Sequence, residues 1–102
     1  MTWDRKERLS ALHDAKNAIR YRYAWPAGRA IYLVMATGKP LSLAIARMNW
    51  RIIVLATLYG SFYDPWRVQG ARINDDERLY CCQSGELIPS IYEPEDNHGS
   101  SL

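Results

Sequence analysis

The apolar segment from Pro40 to Gly60 constrains the fold of this chain more than any other part of its sequence. Six large apolar residues in it recur at spacings of 4, 3, 4, 3 and 4, which is the heptad pattern of an amphipathic helix; they are Leu41, Ile45, Met48, Ile52, Leu55 and Tyr59. Trp50 and Ile53 belong to a second apolar face. Because a helix that is apolar on two sides normally packs between neighbours, the pattern predicts a central helix over residues 40–59, with Leu55 in the core.

The same segment is nearly long enough to cross a membrane, but Arg47, Asn49 and Arg51 lie at its centre. Each arginine at the middle of a bilayer costs about 2.5–3.5 kcal/mol on an insertion scale. We therefore expect a buried helix of a soluble protein and no membrane partner. The charged first twenty residues lack the apolar core of a secretory signal, which favours a cytoplasmic location.

The region before this helix contains one clear element and one ambiguous one. Asp4 and Glu7 have the spacing of a helix N-cap and its capping-box partner, and they predict a helix over residues 5–24 that Pro26 ends or bends. Residues 27–37 fit either a second helix or a short buried strand. We prefer the helix, and the strand remains the alternative.

The region after the central helix predicts a loop and then a small sheet. Residues 61–77 have the composition of a loop. The segments Arg78–Cys82 and Glu86–Tyr92 predict the two strands of a hairpin. The predicted fold class is therefore α+β and mainly α, with two or three helices around the central helix, followed by a C-terminal β-hairpin.

The length and composition of the chain indicate a single domain. It has 102 residues, of which 48% are hydrophobic, and this is enough to bury one core. We expect residues 1–92 to form that domain and residues 93–102 to be a flexible acidic and polar tail.

The sequence shows no motif of a known catalytic or metal site, and we expect no enzyme, no cofactor and no metal. Cys81 and Cys82 are adjacent, so a strand would point them to opposite faces, and we expect two reduced thiols, one buried and one half-exposed. His13 and His98 lack ligand spacing. The acids at positions 75–77 are consecutive and cannot all face one ion on a regular element.

Charge is divided unevenly along the chain. Residues 1–72 contain 12 Lys or Arg and 4 Asp or Glu, a net charge of +8, whereas residues 73–102 contain 1 Arg and 7 acids, a net charge of −6. This asymmetry predicts a basic binding face, or an acidic C-terminal part that lies against the basic helices. Both interpretations stay open.

Arginine and aromatic residues alternate in the stretch "IRYRYAWPAGR", residues 19–29, and this composition is typical of binding hot spots. The predicted partner-binding residues are Arg20, Tyr21, Arg22, Trp25 and Arg29. A second candidate patch consists of Phe62, Tyr63 and Trp66, which could instead fold back onto the core.

These observations predict a small non-catalytic protein-binding module, an inhibitor or adaptor that occludes a partner's surface. Phages and mobile elements encode many proteins of this kind, and such an origin is a hypothesis for this chain. The alternative function is a nucleic-acid-binding regulator that uses the basic N-terminal region. A homodimer through the Leu41–Tyr59 helix is a further alternative, which would apply if Leu55 were exposed.

Overall fold

The computed structural model describes residues 5–21, without the side chain of Tyr21, and residues 30–92. These residues form three helices and a three-stranded antiparallel sheet with the strand order β2-β1-β3. The elements in chain order are α1 (Arg5–Tyr21), β1 (Ile31–Met35), β2 (Pro40–Ser42), α2 (Leu43–Met48), α3 (Trp50–Tyr59) and β3 (Val68–Ile73).

The central strand β1 organises the core. Leu33 pairs with Leu41 of β2 on one side and with Ala71 of β3 on the other. Four of the five β1 residues are buried, as expected of a strand that is covered on both faces. The turn into β2 contains Gly38 at a φ of 89°, a conformation that glycine adopts without strain, and the Gly38 N–H donates to the Met35 carbonyl at 2.8 Å.

Helix α1 packs closely because its buried face consists of small side chains. Ala11, Ala15 and Ala18 are buried in the same core cluster as Leu33 and Val68. Near the start of α1, the Arg8 Nη1 donates to the Leu58 carbonyl at 2.7 Å, and near its end Ile19 and Trp50 line the same pocket. Helix α1 therefore runs antiparallel to α3.

The chain bends between α2 and α3. Ser42 caps α2 by accepting a hydrogen bond from the Ile45 N–H at 3.3 Å. Asn49 ends that helix, because its φ and ψ of −116° and 27° leave the helical range and its Nδ2 donates to the Ile45 carbonyl at 2.9 Å. The Asn49 carbonyl then accepts from the Ile53 N–H in the first turn of α3.

Buried Asn74 holds the last described segment against the domain. Its Nδ2 donates to the carbonyls of Ile88 and Pro89 at 3.0 and 3.1 Å, and its own carbonyl accepts from the Ile91 N–H at 3.0 Å. Ile88 and Cys81 join the core cluster. Side-chain and backbone bonds of this kind order the segment without a strand ladder.

The predicted fold, helices followed by a C-terminal hairpin, is wrong. Residues 31–35 form the central strand rather than the preferred helix, and residues 68–73, predicted to be loop, form β3. The predicted hairpin of Arg78–Cys82 and Glu86–Tyr92 is reduced to one isolated bridge between Tyr80 and Leu87. The sheet thus lies in the middle of the chain.

The single central helix over residues 40–59 is also wrong. Pro40–Ser42 belongs to the sheet, and Asn49 divides the remainder into α2 and α3. The helix predicted over residues 5–24 is present as Arg5–Tyr21, and its last predicted turn lies outside the described residues. The predicted tail, residues 93–102, also lies outside them.

Candidate interaction surfaces

From Met48 at the end of α2 through α3, the heptad residues face solvent, which corrects the prediction that they form the core; Leu41, the first of the series, is buried. Leu55 is 54% exposed and Met48 is 79% exposed, whereas Ile53 on the opposite face is 0% exposed. The buried residues of α3 are Ile53, Ala56 and Thr57. A heptad spacing shows which residues share a face, but not whether that face points to the core.

These residues continue into the turn that follows α3. Phe62 and Tyr63 are 60% and 81% exposed, and their rings meet edge to face with centroids 5.4 Å apart. We call the following set the α3 surface: Met48, Ile52, Leu55, Tyr59, Phe62 and Tyr63. At roughly 200 Å² for each fully exposed large side chain, their exposed fractions leave about 800 Å² of these six residues in water.

Trp66 behaves differently from the rest of the second predicted patch. It is partly buried against the core cluster. Together with Ile52, Leu55 and Tyr59 it lines a shallow groove beside α3, in which Asp64 is the only described acidic residue. The second predicted patch is therefore split, with Phe62 and Tyr63 outward and Trp66 at the base of the groove.

Arg67 holds the turn that carries Phe62 and Tyr63. It is 1% exposed, its Nη1 donates to the Ser61 carbonyl at 3.1 Å, and its guanidinium lies 4.9 Å from the centre of the Phe62 ring. Burial lowers the pKa of Arg67, as does the positive charge of Arg8, while Asp64 acts in the opposite direction. A guanidinium keeps its charge under such shifts, so Arg67 remains a buried cation stacked on Phe62.

Gly60 fixes the direction of the chain as it leaves α3. A Cβ at this position would collide with the Ala56 carbonyl oxygen and would lie 2.7 Å from the Asp64 Oδ2. The Asp64 Oδ1 accepts a hydrogen bond from the Trp66 N–H at 2.9 Å. The exposed aromatic side chains thus project from an ordered turn.

Of the first predicted patch, the structure describes one side chain. Arg20 is exposed at the end of α1, the side chain of Tyr21 is not described, and Arg22, Trp25 and Arg29 lie outside the described residues. The patch as a whole therefore stays a prediction.

Arg20 belongs to a pocket that the sequence did not predict. We call this the basic pocket; it has a volume of about 240 Å³ and is lined by Lys16, Ile19, Arg20, Arg47 and Trp50. Lys16 and Arg20 are four residues apart on α1, and this spacing predicts from the sequence alone that they share a face of the helix. Arg47 and Trp50 come from a distant part of the sequence, and only the antiparallel packing of the helices reveals them as neighbours.

The two cysteines are free thiols, with Cys81 buried and Cys82 exposed. Burial by itself raises the pKa of Cys81, but hydrogen bonds from the Ser42 N–H at 3.4 Å and from the turn at Ser84 outweigh it and lower the pKa from 9.0 to about 7. Partial desolvation of the thiol and the neighbouring Cys81 raise the pKa of Cys82, against a backbone hydrogen bond and the positive charge of Lys39.

Two of the other polar candidates, His13 and Asp76, have structural partners. The His13 Nε2 lies 2.9 Å from the Asn17 Nδ2 on the exposed side of α1, and the Asp76 Oδ1 accepts from the Arg78 N–H at 2.9 Å. Within residues 5–21 and 30–92, no group of three or more histidine, cysteine, aspartate or glutamate residues is placed to hold a metal ion.

Two further findings bear on identity. In the part of the chain that the structure describes, no helix combines the length and the apolar character needed to cross a bilayer. Comparison of the chain with protein-family models, curated proteins and solved structures gave no match.

Proposed function

We propose that this protein is a small non-catalytic protein-binding module of the cytoplasm, an inhibitor or adaptor that covers part of a partner's surface through its α3 surface. The observation that carries the proposal is the exposure of six large apolar side chains at the end of α2, along α3 and in the turn after α3. Large exposed apolar patches are typical of interaction sites.

The size of the α3 surface suits a specific complex. Its exposed area of about 800 Å² equals what one partner contributes to a standard interface. Two of its members are tyrosines, which are enriched among the residues that dominate binding energy. The contacts of Arg67 with Ser61 and Phe62 order the turn before binding, which lowers the entropy lost when a partner docks.

Charge around the α3 surface indicates the chemistry of the partner. Arg51 is exposed beside it, and the sequence from Leu41 to Tyr63 contains no acidic residue. A partner segment with apolar side chains flanked by aspartate or glutamate would complement this arrangement. The same segment of a second copy would offer Arg51 no carboxylate, so charge complementarity favours a different protein over a second copy.

Site-specific photocrosslinking in the native cell tests the proposal. A benzoylphenylalanine at position 55 lies within the α3 surface, and the same group at position 69 is the matched control, because Gln69 is also exposed but lies on β3. We expect crosslinks at position 55 to a segment of another protein that is apolar with acidic flanks, and none to that segment at position 69. Ile52→Asp should abolish them.

Three results would contradict the proposal. Crosslinks that join two copies of this chain would establish the homodimer instead. Crosslinks to segments without acidic flanks would refute the charge argument, and equal labelling at positions 55 and 69 would show that the α3 surface is not an interface.

A further inference from the structure

The basic pocket is a second surface, separate in composition from the α3 surface. Exposed Lys16 and Arg20 border it on α1, and exposed Arg47 borders it on α2. Its floor is formed by Ile19 and Trp50, which are partly buried against the core cluster. An aliphatic and an indole side chain thus lie between cations from two helices.

The charges around this pocket indicate an anionic ligand. None of the described residues that line it is acidic, so three positive charges converge without a carboxylate among the lining groups. The volume of about 240 Å³ is below the roughly 300–1,000 Å³ of pockets that enclose a whole small molecule. The pocket therefore suits one unit of a longer ligand.

We propose that the basic pocket binds single-stranded nucleic acid, with phosphates on Lys16, Arg20 and Arg47 and one base against Trp50. Sites for single strands combine a basic groove that follows the backbone with an aromatic side chain on which a base stacks. Lys16 and Arg20 lie one turn apart along α1, and Arg47 faces them from α2, so cations border both sides of the floor. The cations would also attract an acidic peptide, but such a peptide would not need the indole side chain of Trp50.

The uneven distribution of charge along the chain also supports this proposal, because the positive charge is concentrated before residue 73 while the whole chain carries only +2. Residues 1–72, which include all five lining residues, carry a net charge of +8. A field of this sign attracts polyanions and raises their rate of association. The proposal does not rest on the function of the α3 surface, and either can fail alone.

Fluorescence anisotropy with a fluorescein-labelled twelve-nucleotide oligothymidine tests it. Three phosphate contacts predict that the logarithm of the binding constant falls with the logarithm of the salt concentration with a slope of about −2.1. The affinity should therefore fall roughly twentyfold between 50 and 200 mM salt. Arg47→Ala should weaken binding at least about threefold and reduce the slope to about −1.4. Lys39→Ala removes the same charge from the exposed β1–β2 turn and serves as the matched control.

Trp50→Leu tests the stacking contact, because leucine keeps the floor apolar and removes only the aromatic ring. We expect the affinity for the oligonucleotide to fall about fivefold or more, which is the lower end of the effect of removing an aromatic side chain that stacks on a base. Because Trp50 packs against the core, circular dichroism is used to check that Trp50→Leu folds like the wild type. Arg47 is exposed, so the Arg47→Ala test does not depend on a change in the core.

Four results would overturn the proposal. These are no binding at 20 mM salt, equal losses for Lys39→Ala and Arg47→Ala, wild-type affinity in a folded Trp50→Leu, and equal competition by a twelve-residue polyglutamate. Equal losses for Lys39→Ala and Arg47→Ala would show that net charge alone attracts the oligonucleotide. Equal competition by polyglutamate would assign the pocket to acidic proteins.

Discussion

Two residues on opposite faces of α3 allow the packing of this helix to be tested by one matched pair of substitutions. Ile53 is 0% exposed within the core cluster, and Leu55 is 54% exposed. Ile53→Ala removes buried apolar atoms and leaves a cavity, which typically costs about 2–5 kcal/mol. Leu55→Ala removes atoms that water already contacts, and we expect it to cost less than about 1 kcal/mol.

The difference should be easy to measure in a domain of this size. With a total stability of about 5–15 kcal/mol and a shift of roughly 4–8 °C per kcal/mol, Ile53→Ala should lower the Tm by at least about 8 °C. Urea unfolding followed by circular dichroism gives the free energies directly. If Leu55→Ala destabilised the protein as much as Ile53→Ala, Leu55 would belong to the core and the α3 surface would not exist as described.

Two further predictions concern buried polar groups. Arg67→Met nearly keeps the side-chain volume but loses the hydrogen bond to the Ser61 carbonyl, and it should destabilise the fold by about 1–3 kcal/mol. It should also speed amide hydrogen exchange in residues 60–66. Unchanged exchange in these residues would show that Arg67 does not hold the turn. Because hydrogen bonds lower the pKa of Cys81 from 9.0 to about 7, the stabilisation from its thiolate should be fully present above pH 9 and be lost as the pH falls through 7. Thiolate absorbance at 240 nm in Cys82→Ser should then titrate near pH 7, and a midpoint near 9 would refute the assignment.

Local patterns predicted some elements of this fold and misplaced others. Helix α1 has its own cap signal and periodicity, and it appears where predicted. Residues 31–35 are short and entirely apolar, so their pattern suits a buried strand or a buried helix, and only pairing with β2 and β3 decides between them. The strand β3 contains Gly70 and exposed polar residues, and it lacks the alternation that identifies a strand locally.

The candidate surfaces were harder to predict from the sequence than the helices and strands, because they depend on tertiary packing. The spacing of Ile52, Leu55 and Tyr59 identified residues on one face, but the opposite face of α3 supplies Ile53 to the core. Phe62 and Tyr63 were predicted as a patch and are exposed, while the basic pocket combines residues about thirty positions apart in sequence. A single sequence does not reveal such a pairing.

The claim that the α3 surface binds another protein is tested most directly by the affinity of two variants for the crosslinked partner segment. Leu55→Asp places a charge in the α3 surface, and Gln69→Asp places the same charge on exposed β3. By calorimetric titration with a synthetic peptide of that segment, Leu55→Asp should raise the Kd at least about thirtyfold, as expected of a central interface residue worth 2 kcal/mol or more. Gln69→Asp should leave the Kd within about twofold of wild type. An unchanged Kd for a folded Leu55→Asp would contradict the claim.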